Sequence, residues 1–130
     1  MLVSVNLDEI IVNTLRDVNC SNLAKEYIRS VFKKPEPISD SIVLKFLDAR
    51  SKSDFSLYQK IGDWSLFCLS FDFLPQDASV LQHIGAQSYH ACFSLLKNEW
   101  QIFYELGSNI EKIPYQTKNS FALQMLKTEC

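Results

Sequence analysis

The residue with the clearest chemical potential is Asp63, which follows Gly62 in a stretch otherwise crowded with apolar side chains. A carboxyl group buried there would have a raised pKa and could act as a general acid or base near neutral pH. The same group could instead serve the fold, by bonding a helix N-terminus, a tyrosine hydroxyl or an arginine. Of these two interpretations we favour the structural one.

Two histidines, His83 and His90, are seven residues apart on one predicted helix. Two imidazoles on a helix share a metal ion when they are four residues apart, whereas seven residues separate them by about 10 Å. Gln87, between them, is a poor ligand. We therefore predict no metal site and expect two partly exposed histidines along the edge of the helix.

The four cysteines have no paired spacing, and Cys68 and Cys92 lie in apolar helical patterns, where a free thiol behaves as a small hydrophobe. Common signatures of nucleotide binding, nucleophilic hydrolysis and di-iron bundles are missing. We predict no catalytic residue and no cofactor, and we lean against an enzyme.

Aromatic residues are concentrated in the second half of the chain, where they could wall a pocket for a lipid, a haem or another flat ligand. At helical spacing, aromatic side chains more often form core. If such a pocket exists, the candidate ligand-binding residues are Asp63, Trp64, Phe67, His83 and Tyr89.

Composition predicts one globular domain spanning residues 1–130. The chain has 3 Gly and 4 Pro, too few for the frequent tight turns of an all-β protein. Its net charge of −2 argues against nucleic-acid binding. The N-terminal residues lack the basic region of a signal peptide, and the longest apolar run, Trp64 to Leu74, is too short to span a bilayer. We predict a cytoplasmic protein with no membrane association.

No Lys or Arg stands between Lys60 and Lys97, so most of this stretch must be buried. We interpret it as two helices that form a central antiparallel pair, with Gly62 at a close helix crossing. Part of it, Trp64 to Phe73, is also compatible with a buried strand, because periodicity does not separate the two in a short apolar run. Without a visible partner strand, we prefer the helix.

Apolar spacing and capping residues predict the other helices. The expected bounds are about Leu7–Val18, Leu23–Lys33, Asp40–Lys52, Phe55–Phe73, Ala78–Lys97 and Glu99–Ile113, with a short helix in the tail from Thr117 to Cys130. Expected caps are Asn6, Ser21 or Asn22, Ser39, Ser53 or Asp54, Asp77 and Asn98, and Pro114 should end the sixth helix. Buried positions are expected to include Leu23, Leu47, Trp100 and Phe121.

Two segments, Ile61 to Phe67 and Ile84 to Tyr89, resemble an uncharacterised family of small all-helical bacterial proteins. That family has Gly-Asp-x-x-Leu-Phe on one helix, Gly-x-x-x-Tyr on the next and then an aromatic helix, here Phe103 to Ile113. Where it tends to have paired tyrosines before the second glycine, this chain has Gln82 and His83. The resemblance covers about the second half of the chain and implies an all-helical bacterial protein, with no activity to carry over.

The sequence as a whole predicts an all-α fold, an irregular bundle of six to seven helices. We expect a non-enzymatic interaction or scaffold protein that binds a protein partner or itself, as a homo-oligomer, through apolar helix faces. Leu66, Leu69 and Phe73 are candidates for such a face. The alternative is a small-molecule binder or enzyme with an aromatic pocket between helices.

Overall fold

The computed structural model describes residues 7–128, with the side chains of residues 8–123. Within residues 7–128 it contains seven helices and no strand. The helices are α1 (Leu7–Asp17), α2 (Asn22–Lys33), α3 (Ile42–Lys52), α4 (Phe55–Ser70), α5 (Ala78–Leu95), α6 (Gln101–Ser108) and α7 (Lys112–Thr128). The predicted all-α irregular bundle is confirmed, and the alternative strand at Trp64 to Phe73 is wrong.

Four helices begin at a side chain that accepts a hydrogen bond from a backbone N–H of the first turn, which would otherwise lack a partner. These capping residues are Ser21, Ser41, Asp54 and Asp77. Ser41, two residues after the predicted Ser39, caps α3, and α6 begins at Trp100 without a side-chain cap, although Asn98 was expected. The predicted cap Asn6 lies outside the described residues.

The central pair consists of α4 and α5, which make the most extensive helix–helix contact in the described chain. Early residues of α4 meet late residues of α5, so the pair is antiparallel as predicted. A Cβ built on Gly62 would lie 2.8 Å from the ring of Tyr89, and one on Gly85 would lie 2.9 Å from Cβ of Ser65. Both glycines therefore permit a backbone approach that a larger residue would obstruct, which confirms the crossing predicted at Gly62.

The third glycine brings α6 against a neighbouring face of α5. A Cβ on Gly107 would lie 2.6 Å from the imidazole of His90 and 3.1 Å from the carbonyl oxygen of Ala86. The imidazole also packs against the ring of Tyr104, at a centroid distance of 5.6 Å. Thus all three glycines of the chain serve helix contacts, and α5 packs closely against both α4 and α6.

The predicted sixth helix is wrong in extent, because the segment forms two helices. The chain leaves α6 at Ser108 and begins α7 at Lys112, so Pro114 lies in the first turn of α7 and does not end a helix. A proline is tolerated there because the first-turn N–H groups have no partner within the helix. The predicted short tail helix is part of the 17-residue α7, which packs along α1.

Four residues expected in the core are exposed: Leu23 (68%), Leu47 (50%), Trp100 (57%) and Phe121 (41%). Helical periodicity places each of them on an apolar stripe, but the neighbouring helices cover only part of that stripe. By contrast, Leu66 and Leu69 are buried within α4, so of the three proposed interface residues only Phe73 is exposed.

No helix of the described residues is long and apolar enough to cross a membrane.

We predict that Gly62→Ala destabilises the protein by about 1–3 kcal/mol, because the added methyl group overpacks the contact with the buried ring of Tyr89. Helix propensity alone would change stability by about 1 kcal/mol in the opposite direction. Urea unfolding measures the difference, with Ser56→Ala, at an exposed position of α4, as the control. A more stable Gly62→Ala variant would show that the contact is not restrictive.

Candidate functional site

A cluster of polar side chains surrounds Asp63 where α2, α4 and α5 meet. The hydroxyl of Tyr89 donates a hydrogen bond to Oδ1 of Asp63 at 2.7 Å. The hydroxyl of Tyr27 faces the same carboxylate, at 2.8 Å from Oδ1 and 3.0 Å from Oδ2. Gln59 Nε2 donates in turn to the hydroxyl oxygen of Tyr27 at 2.8 Å. Asp63 therefore connects three helices through one carboxylate.

Tyr89 is fixed from two directions. Its side chain is fully buried, its ring lies over Gly62, and its hydroxyl reaches the next residue along α4. The adjacent Gly62 and Asp63 thus act as a pair, in which the glycine makes room for the ring and the aspartate accepts the hydroxyl hydrogen. The tyrosine hydroxyl that we named as one possible partner of Asp63 is confirmed.

The surroundings of Asp63 change its acidity. Burial raises the pKa of Asp63 to about 6, although the hydrogen bonds from Tyr89 and Tyr27 act in the opposite direction and the charge of Glu36 adds to the rise. Burial, followed by the charge of Asp63, raises the pKa values of both tyrosines, so they remain protonated donors. Desolvation of the carboxylate thus outweighs its two hydrogen bonds.

A hollow of about 290 Å³ gives access to Asp63 from the end of α2. Tyr27 and Gln59 also line it, together with Lys34 and Glu36, which contribute one charge of each sign. A carboxyl group with a pKa near 6 could exchange a proton with a molecule bound there. Both carboxylate oxygens are already hydrogen-bonded, however, and the described residues lining this hollow include no cysteine or histidine.

The structure brings together only two of the five predicted ligand-binding residues, Asp63 and Tyr89. Trp64 is buried and stacks on Phe67 at a centroid distance of 5.6 Å. His83 is exposed and lines a separate groove of about 510 Å³, together with His90. These three residues take no part in the hydrogen bonds around Asp63.

The buried cysteines are poorly placed for thiol chemistry. Cys68 and Cys92 are buried free thiols, and burial raises the pKa of each to about 12, which disfavours the nucleophilic thiolate. Residues 7–128 contain no group of three His, Cys, Asp or Glu side chains that could hold a metal ion.

A groove of about 680 Å³ lies between α2 and the start of α6 and is here called the α2–α6 cleft. Its apolar lining comprises Leu23, Tyr27, Trp100 and Ile102. A second hollow of about 340 Å³ shares Tyr27, Trp100 and Ile102 with the cleft and adds Phe55 and Phe103. The rings of Tyr27 and Phe55 each contact the ring of Phe103 edge-on, with a distance of 5.6 Å between ring centroids.

Three glutamates line the same cleft: Glu26, Glu99 and Glu105. Glu105 accepts hydrogen bonds from the backbone N–H of Ser21 at 2.8 Å and from its hydroxyl at 2.6 Å, which ties α6 to the N-terminus of α2. The cleft lining within the described residues includes no Lys or Arg. The cleft thus combines an apolar floor with an acidic border.

The sequence did not predict that Tyr27 and Gln59 take part in the hydrogen bonds around Asp63, nor that the α2–α6 cleft exists. Tyr27 belongs to the apolar stripe of α2, where its ring and its hydroxyl have separate partners. The available signal was the presence of Leu23 and Trp100 at the starts of their helices, where a neighbouring helix covers a side chain least completely. Such a position does not by itself identify the element that leaves it uncovered.

We predict that Tyr89→Phe destabilises the protein by about 1–2 kcal/mol, because Asp63 loses a buried hydrogen bond. Tyr115→Phe, at a residue that is 64% exposed, should change stability by less than about 0.5 kcal/mol. Urea unfolding of both variants at one pH tests this, and equal effects would contradict the role assigned to the Tyr89 hydroxyl.

The raised pKa of Asp63 predicts a pH-dependent stability. The unfolded value is about 3.9, below the folded value of about 6, so protonation favours the folded state. The contribution of Asp63 is fully present below about pH 4 and is lost as the pH rises through about 6, by about 2–3 kcal/mol in total.

Asp63→Asn isolates this effect, since asparagine does not titrate. The unfolding free energy of the native protein minus that of the variant should fall between about pH 4 and pH 7. The subtraction removes the contribution of Asp77, whose pKa is lowered by its hydrogen bonds with Ser79. A difference that stays constant with pH would mean that the pKa of Asp63 is not raised.

No protein-family model, curated protein or solved structure matches this chain. The resemblance to a family of small bacterial proteins stays a prediction, and the function must be inferred from the geometry of the described residues.

Proposed function

We propose that this chain is a non-enzymatic interaction protein that binds another protein through apolar helix faces, chiefly at the α2–α6 cleft. The observation that carries the proposal is the exposure of Leu23 and Trp100 side by side in the lining of one groove. Exposed apolar residues grouped around a groove mark interaction sites more often than isolated ones do. We keep the cytoplasm as the proposed location.

The types of residue in the cleft support protein binding. Trp and Tyr are enriched among the residues that contribute most to protein–protein affinity, and the cleft offers Trp100 and Tyr27. Fully burying one large apolar side chain is worth about 1.5–3 kcal/mol. A partner that covered Leu23 and Trp100 would therefore gain a useful part of its binding free energy from these two residues.

The Asp63 cluster supports a non-enzymatic role. Its carboxylate joins Tyr27 of α2 to Tyr89 of α5, while Gln59 completes the set from α4. Every member therefore has a partner that explains its position in the fold. The raised pKa of Asp63 accompanies this burial and requires no substrate.

A homo-oligomer is also part of the proposal, through a face other than the one predicted on α4. Leu66 and Leu69 are buried and are not available to a second copy. Leu44 and Leu47, three residues apart on α3, are both exposed and offer an apolar face at helical spacing. In a two-fold dimer, the same face of each copy would meet.

A small-molecule binder is the second candidate, and the hollow lined by Phe55, Trp100 and Phe103 favours it. Its aromatic walls suit an apolar or flat ligand. Of the predicted ligand-binding residues, none lines this hollow, although Tyr27 connects it to Asp63.

Native mass spectrometry with light scattering tests these alternatives. We expect the freshly purified protein to carry added mass of protein size, which the double variant Leu23→Ser/Trp100→Ser loses. The matched control is Leu44→Ser/Leu47→Ser, also at exposed residues. This control should retain the added mass if a partner protein occupies the cleft. It should lose the added mass if two copies of the chain meet at α3.

An added mass of a few hundred daltons, about the size of a drug-like ligand, would instead favour the small-molecule binder. A bare monomer that binds none of the peptides described in the next subsection would contradict the proposed function.

A further inference from the structure

The charge of the α2–α6 cleft narrows the kind of partner that fits it. Resting on the proposed function, we propose that the cleft binds a basic amphipathic helix of another protein. Its apolar side chains would contact Leu23 and Trp100, and its Lys or Arg side chains would pair with Glu26 and Glu99.

The apolar part of the argument comes from the shape of the cleft. It lies between two helices, has a volume of about 680 Å³ and continues over Trp100 and Ile102 into the hollow that contains Phe103. A groove of this kind accepts an amphipathic helix that inserts residues at a spacing of three and four positions. The adjoining hollow gives one such side chain an additional place to bind.

Two carboxylates, those of Glu26 and Glu99, give the cleft border its unpaired negative charge within the described residues. Glu26 and Glu99 form no side-chain hydrogen bond or ion pair within the described residues, and both are exposed. Glu105 adds a third negative charge, although Ser21 already occupies its oxygens. Because no Lys or Arg among the described residues lines the cleft, a basic partner would compensate this charge and an acidic one would be repelled.

The same charges argue against a second copy of the chain as the occupant. In a two-fold contact through this cleft, Glu26 and Glu99 of one copy would face the same residues of the other. Like charges brought together at an interface cost free energy unless cations lie between them. The cleft is therefore better suited to a different protein, whether or not two copies of the chain associate through α3.

Two synthetic peptides of about 15 residues, or four helical turns, test the proposal. Both carry leucines at the same helical spacing, and the remaining positions are lysine in one and glutamate in the other. Trp100 is exposed whereas Trp64 is buried, so binding should change the fluorescence of Trp100. We expect the lysine peptide to bind at least about tenfold more tightly at low salt, and the preference to shrink at about 1 M salt because screening is stronger.

Charge-reversal variants locate the effect. Glu26→Lys and Glu99→Lys should each weaken the lysine peptide several-fold, whereas Glu111→Lys changes the net charge equally at an exposed site outside the cleft lining and should have a smaller effect. The double variant Leu23→Ser/Trp100→Ser should bind neither peptide, as measured by calorimetry. Circular dichroism confirms that each variant remains helical.

The outcomes separate this inference from the proposed function. Equal affinity for the two peptides, or an equal effect of Glu111→Lys, would overturn the preference for a basic partner while leaving a protein-binding cleft. Binding that survives Leu23→Ser/Trp100→Ser would place the peptide elsewhere and overturn the inference. If the chain binds no peptide and instead dimerises through the cleft, a second copy is the occupant. If it binds no peptide and forms no complex of any kind, both proposals fail.

Discussion

The bundle depends on the close approach of α4 and α5, and Gly62 is the residue that allows it. Without a side chain at this position, the ring of Tyr89 lies directly against the backbone of α4. That position brings the tyrosine hydroxyl to within 2.7 Å of Asp63. The space left by Gly62 and the hydrogen bond accepted by Asp63 thus occur at adjacent residues, and both fix the position of Tyr89. A packed core of this kind tolerates little change in volume at the contact.

Asp63 extends this contact to α2. A buried carboxylate is costly to desolvate, and its pKa of about 6 shows that two tyrosine hydroxyls offset only part of that cost. In return, Tyr27 is held with its hydroxyl against Asp63 and its ring beside Phe103. Because the ring of Tyr27 also lines the α2–α6 cleft, the polar cluster fixes one wall of the proposed binding surface. The hydrogen bonds around Asp63 and the α2–α6 cleft are therefore parts of one arrangement, joined through Tyr27.

The prediction of helices from the sequence succeeded where local physics decides the outcome. The spacing predicts Asp77 as one cap and either Ser53 or Asp54 as another, because these side chains can accept the first-turn N–H groups, and Asp54 and Asp77 do so. Pro114 shows the limit of the same reasoning. A proline excludes the interior of a helix but fits its first turn, and only the direction of the chain after Ser108 distinguishes the two cases. The expected burial of Leu23 and Trp100 was wrong because helical spacing identifies an apolar face but not which neighbouring helix, if any, packs over it.

The sequence by itself determined the all-α class, the burial of much of α4 within the lysine-free stretch and the importance of Gly62 and Asp63. Each follows from helix periodicity, from the cost of burying charge or from the small size of glycine, which are properties of neighbouring residues. Only the tertiary structure decided that Tyr27, 36 residues earlier in the chain, shares the carboxylate of Asp63. It also decided that the starts of α2 and α6 leave Leu23 and Trp100 uncovered beside three glutamates. These features depend on how distant helices pack against one another, and helical periodicity contains no information about that packing.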